Sequence, residues 1–112
     1  MADNGFTWNS VLVDGNWIRY RVGGPVDAPA MIHQHGFAIS GTYLLPTAEM
    51  LTDSFRVYLP DLPGFGRSPK PEVPLTIEEL GTALNHFMDA VGIEQAILVG
   101  NSLGCAITAE LI

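Results

Sequence analysis

Apolar and polar residues alternate in the first part of the chain and then give way to unbroken apolar runs separated by helical stripes. The stretch "SVLVDGNWIRYRV" (residues 10–22) sets two strand-like runs around Asp14-Gly15, a dipeptide that tolerates the positive φ values of a tight hairpin turn. In the second run Ile18, Tyr20 and Val22 share one face and alternate with Arg19 and Arg21. This predicts a strand with one wet side, near the edge of a sheet. After the loop "GGPVDAP", the runs "AMIHQ" (30–34), "FRVYL" (55–59) and "AILVG" (96–100) are mostly apolar without alternation, which predicts strands covered on both faces.

Helical patterns lie between these runs. "TIEELGTALNHFMDAVG" opens with Thr76 and Glu79 at capping-box spacing, carries Ile77, Leu80, Ala83, Leu84, Phe87 and Val91 on one stripe, and stops at Gly92. "YLLPTAEMLTD" (43–53) holds a second stripe, Leu44, Leu45, Ala48 and Leu51, with Pro46 placed where a first turn tolerates it. The resulting order is β-β-β-α-β-α-β-α. A hairpin leading into alternating strands and helices predicts an α/β fold, with a mostly parallel sheet, an antiparallel N-terminal hairpin and helices on both faces. Ligands of such sheets sit beyond the carboxyl ends of the strands.

Length and charge narrow the picture. The 112 residues, 47% hydrophobic and 15% charged, read as part of one globular unit covering 1–112. A formal charge of -7 with no local Lys/Arg cluster argues against nucleic acid and anionic membranes as partners. No apolar run approaches the roughly 18 to 20 residues of a membrane span. One cysteine, Cys105, and a start without a basic or apolar leader pattern suggest a soluble protein of the reducing cytoplasm. Oligomeric state cannot be read, and neither a cofactor nor a metal site is expected.

The chemistry concentrates after the last apolar run, in Gly100-Asn101-Ser102-Leu103-Gly104. Ser102 follows a strand and precedes a helix, the context of a nucleophile elbow. A sharp strand-to-helix turn strains the serine backbone, and small residues at 100 and 104 let neighbouring chain pass close by. The following helix aims its free N–H groups at the same place, which favours an oxyanion. The competing reading is a turn serine that merely caps the helix. A second segment, "HQHGFAISG", follows the strand ending near Gln34. The N–H of Phe37 is the candidate second oxyanion donor beside that of Leu103, with Gly36 allowing close approach. The third segment, "LPDLPGFGRSPKP", contains Gly64-x-Gly66, but Pro69 and Pro71 stand where a dinucleotide-binding site needs a helix.

Together the three segments resemble the α/β-hydrolase superfamily: His35-Gly36 after the third strand, Asp61 through Ser68 after the fourth, and the elbow after the fifth. The resemblance runs from about Asn16 to the end of the chain. It implies Ser102 as nucleophile, the Phe37 and Leu103 amides as oxyanion hole, and His35, Gly36, Gly100 and Gly104 as support for the loop and elbow. It further implies a small-molecule substrate with a carbonyl group, cleaved at an ester, thioester, amide or C–C bond through an acyl-enzyme. Relatives that open halides or epoxides carry aspartate at the nucleophile position, and this chain has serine. His33-Gln34 departs from the family, whose members more usually have apolar residues there.

The superfamily order of serine, then acid, then histidine places both partners after residue 102, where this sequence has Glu110 as its sole acid and no histidine. The expectation is therefore an amino-terminal portion that lacks its general base, inactive alone. The alternative is a non-catalytic binding or dimerising half-domain. Of the histidines, His35 is expected to flank the oxyanion loop, His33 to be a hydrogen-bonded core residue, and His86 to face solvent. Cys105 is expected to pack at its helix start, and Asp61 to hold its loop through side-chain bonds. If the superfamily strand order holds, "AILVG" lies at an unpaired sheet edge.

Overall fold

Asp14 and Gly15 both take positive φ, 51° and 82°, and this two-residue turn joins β1 (Thr7–Val13) to β2 (Asn16–Gly23). Positive φ at both central positions matches the right-handed twist of the paired strands. The structure is a computed structural model that describes residues 5–34, 50–65, 68–100 and 103–111. Three further strands complete one sheet: β3 (Ala30–Gln34), β4 (Arg56–Asp61) and β5 (Ala96–Gly100), in the order β1-β2-β4-β3-β5. β2 is antiparallel to β1 and β4, whereas β3 runs parallel to both β4 and β5. The α/β class, the hairpin and the parallel portion agree with the sequence.

The outer face of the hairpin differs from expectation. Its register pairs Trp8 with Arg21 and Ser10 with Arg19. The Arg21 guanidinium lies 4.1 Å from the centre of the Trp8 ring and that of Arg19 lies 5.4 Å away. Arg21 is consequently buried, not wet. Cation–π contacts of this kind contribute roughly 0.5–2 kcal/mol.

Helix α1 (Ile77–Ala90) starts as its sequence dictates: the Thr76 hydroxyl accepts the Glu79 N–H, and the Glu79 carboxylate accepts the Thr76 N–H. Its buried stripe is Leu80, Ala83, Leu84 and Phe87, while Ile77, expected on that stripe, remains exposed in the first turn. Helix α2 (Leu103–Ala109) crosses α1 closely. A Cβ placed on Gly81 would stand 2.6 Å from the Cβ of Glu110, so the contact requires glycine there.

Both helices cover one sheet face, where Ile18, Ile32, Leu80, Leu84, Phe87 and Ile107 form the main core. Tyr20 meets the Phe87 ring edge-on at 5.0 Å. The opposite face holds a smaller cluster of Phe6, Val57 and Leu59, against which Leu51 and Phe55 pack. Leu51 belongs to the stretch expected as a helix over 43–53, most of which lies outside the described residues. β5 departs from its prediction. Ile97 and Val99 are 47% and 37% exposed, so one face of this strand is uncovered among the described residues.

Candidate active site

Parallel pairing of β3 with β4 and β5 brings three carboxyl ends to one edge of the sheet: Gln34, Asp61 and Gly100. Each of the three motif segments leaves the sheet there. This is the edge at which open α/β sheets bind their ligands.

Only two residues, Asn101 and Ser102, separate the last residue of β5 from the first of α2. Gly100 closes the strand, and Leu103 and Gly104 open the helix. The turn is held from its helical side, because the Cys105 thiol donates to the Gly100 carbonyl at 3.2 Å. Cys105 was expected to pack in the interior; it is exposed instead, and its contact is this weak polar tie across the turn. Ser102 itself, with His35, Gly36 and Phe37, lies outside the described residues.

The loop after β4 is built by Ser68, a residue that sequence reasoning used only as a motif boundary. Its buried hydroxyl donates to the Asp61 carbonyl and accepts the Arg19 N–H at 2.8 Å. One side chain thus ties the loop both to the end of β4 and to the neighbouring strand β2. Main-chain bonds from Gly64 to Pro69 and from Ser68 to Phe65 tighten the same loop. Asp61 is fully buried, and it is its main-chain oxygen that receives Ser68. A spacing argument has no means of finding Ser68, because its partners are 7 and 49 residues away in the chain.

The histidines separate by environment. His33 is buried in β3 with its Nε2 3.2 Å from the Met31 sulfur, and burial pushes its pKa below the ordinary imidazole value. It is therefore neutral at pH 7, a core histidine as expected. His86 is half exposed on α1, as expected, and its Nδ1 lies 2.5 Å from a carboxylate oxygen of Asp14 in the hairpin turn. Gln34, on the strand position after His33, is fully buried, and among the described residues neither its side-chain carbonyl oxygen nor its amide nitrogen has a hydrogen-bond partner. Among the described residues no group of three or more His, Cys, Asp or Glu side chains is arranged to hold a metal ion. Nor is any described helix long and apolar enough to cross a membrane.

A family model described as the alpha/beta hydrolase fold matches residues 29–112. The chain is 36% identical over 100 residues to the dihydrolipoyllysine-residue acetyltransferase component of an acetoin cleaving system from Cupriavidus necator, covering 88% of this chain and 26% of that protein. It is 37% identical over 95 residues to a 2-hydroxy-6-oxo-6-phenylhexa-2,4-dienoate hydrolase from Comamonas testosteroni, covering 80% of this chain and 32% of the relative. Among solved structures, a membrane phospholipase A described as a bacterial virulence factor superposes with a TM-score of 0.91 at 34% identity, over 95% of this chain and 34% of that one. The chain thus spans about a quarter to a third of the length of these relatives.

Proposed function

Because the chain belongs to the alpha/beta hydrolase fold family, we propose that it carries the nucleophile and oxyanion-hole portion of a serine-dependent hydrolase acting on a small carbonyl compound. The observation that carries this reading is the two-residue passage from β5 into α2, with Ser102 as its second residue. That passage sits at the sheet edge where β3 and β4 also deliver their loops.

In this mechanism the Ser102 Oγ attacks the substrate carbonyl carbon while a general base takes its proton. Negative charge moves to the carbonyl oxygen, where the N–H groups of Leu103 and Phe37 receive it. Collapse expels the leaving group, which takes up the proton, and leaves an acyl-serine. Water then releases the acid. A weakly nucleophilic hydroxyl needs its base, and none of the three histidines of this chain is assigned that role. His33 is enclosed in the core and His86 is bound to Asp14 on the hairpin side of α1, while the family resemblance gives His35 a supporting place beside the oxyanion loop. The reading places base and acid outside these 112 residues.

A fluorophosphonate probe applied to the full-length protein tests the assignment. Labelling is expected on Ser102 and is expected to vanish in Ser102→Ala. Labelling that persists in that variant assigns the nucleophile elsewhere.

A further inference from the structure

Ile77 belongs to the apolar stripe of α1, yet it is 38% exposed in the first turn. The rest of the stripe is sorted as an amphipathic helix requires, with Leu80, Ala83, Leu84 and Phe87 buried. What Ile77 faces is a cavity of about 490 Å³, between the residues that leave β4 and the first turns of α1. Phe65 and Leu80 line it from the side of the main core, and Pro71 and Pro74 line it from the segment leading into the helix. The volume falls within the roughly 300–1,000 Å³ of small-molecule sites, which are likewise mostly apolar.

The walls are preformed. The Gly64 N–H donates to the Pro69 carbonyl at 3.0 Å, and the Phe65 N–H donates to the Leu62 carbonyl at 2.9 Å. Ser68 anchors the same segment to β4 and β2, and the capping box at Thr76 fixes the start of the helix. The proline rings hold their own φ, so little conformational freedom is lost when a ligand enters. The cavity shares no residue with the elbow or the oxyanion segment.

Lys70 is the sole charged side chain among the lining residues, and it is also the only lysine in a chain of formal charge -7. Hydrocarbon walls with one cation at an exposed rim complement an aliphatic chain that ends in an anion. The chain displaces water from the apolar wall, while the head pairs with the ammonium and stays hydrated. We propose that this cavity binds a medium-chain aliphatic carboxylate, its alkyl part against Phe65, Ile77 and Leu80 and its carboxylate beside Lys70. Binding here is independent of the Ser102 assignment, so a parent inert to the fluorophosphonate probe is still expected to bind.

Calorimetric titration of the full-length protein with hexanoate, octanoate, octanol and octyltrimethylammonium tests this. Octanoate is expected to bind about fifteenfold more tightly than hexanoate, since each buried methylene contributes about fourfold. Lys70→Met is expected to weaken octanoate about twofold to fivefold and to leave octanol unchanged. Ile77→Asp puts a carboxylate on the cavity wall, in a first helical turn that favours acidic residues. It is expected to weaken octanoate about tenfold or more with little change in melting temperature. If that variant melts far below the parent, the surface change Lys70→Met decides alone. Octanoate binding that neither substitution alters is seated elsewhere, the candidate active site included, and overturns the inference. No binding of octanoate overturns it too, as does a preference for octyltrimethylammonium. Binding confined to phosphatidylglycerol vesicles, with none of free octanoate, assigns the surface to a membrane and overturns it as well.

Discussion

His33 shows how a single side chain couples to the whole fold. Burial against Met31 keeps its pKa below the ordinary 6.5, so the folded chain resists a proton that the unfolded chain accepts. The sign follows from linkage: the contribution is fully present above pH 6.5 and is lost as pH falls toward the depressed folded value. Melting curves recorded from about pH 7.5 down to about pH 5 are therefore expected to decline more steeply for the parent than for His33→Leu. Superimposable slopes would assign the acid sensitivity to other groups. The neighbouring lessons at this scale concern partners. The burial of Arg21 depends on Trp8 across the hairpin, and the tie from Cys105 depends on a carbonyl five residues back. Residue type alone made the first wet and the second buried, because type carries no information about what stands opposite.

At the scale of elements, the local signals and the long-range ones have different fates. The capping box of α1 was legible because both of its bonds lie within four consecutive residues. Thr76→Ala removes the N-cap bond and is expected to cost about 1 kcal/mol in urea unfolding. The Asp14-Gly15 turn was legible for the same reason. Gly81 was not. Inside a helix, glycine to alanine ordinarily stabilises by roughly 0.5–1 kcal/mol. Here the new methyl group would meet Glu110 of the α2 end at 2.6 Å, so Gly81→Ala is expected to destabilise by roughly 1–3 kcal/mol. The two forces predict opposite signs, and one denaturation curve decides between them. Ser68 belongs with Gly81, since the loop it closes is written in contacts between segments and not in any one of them. The order of the described elements and the strand ends from which the three motif segments leave could be read from spacing and motif, whereas the side chains that hold the described part of the loop after β4 could not.

For the described residues taken together, the decisive feature is the rim position of β5. β5 is the last strand in the order β1-β2-β4-β3-β5, and the sequence "AILVG" contains no lysine, proline or bulge of the kind that protects an edge. The unbroken apolar run led to an expectation of two covered faces, while the superfamily order led to an expectation of an open edge. The described residues depart from the first, because Ile97 and Val99 are exposed on one face, and agree with the second, because β5 is outermost in the strand order. An apolar run reports what a strand is built to touch, not whether the partner is there. An apolar strand at the rim of the described sheet predicts association of the isolated 112-residue chain through β5. Sedimentation of the isolated chain is expected to show species larger than a monomer that grow with concentration, and Val99→Lys is expected to suppress them by charging the rim. Leu12→Lys, at an exposed position on the opposite edge strand β1, serves as the control and is expected to leave association unchanged. Equal suppression by both substitutions would attribute the effect to net charge alone. A monomeric parent at every concentration would remove the edge as an interaction surface, and with it the alternative reading of this chain as a dimerising half-domain.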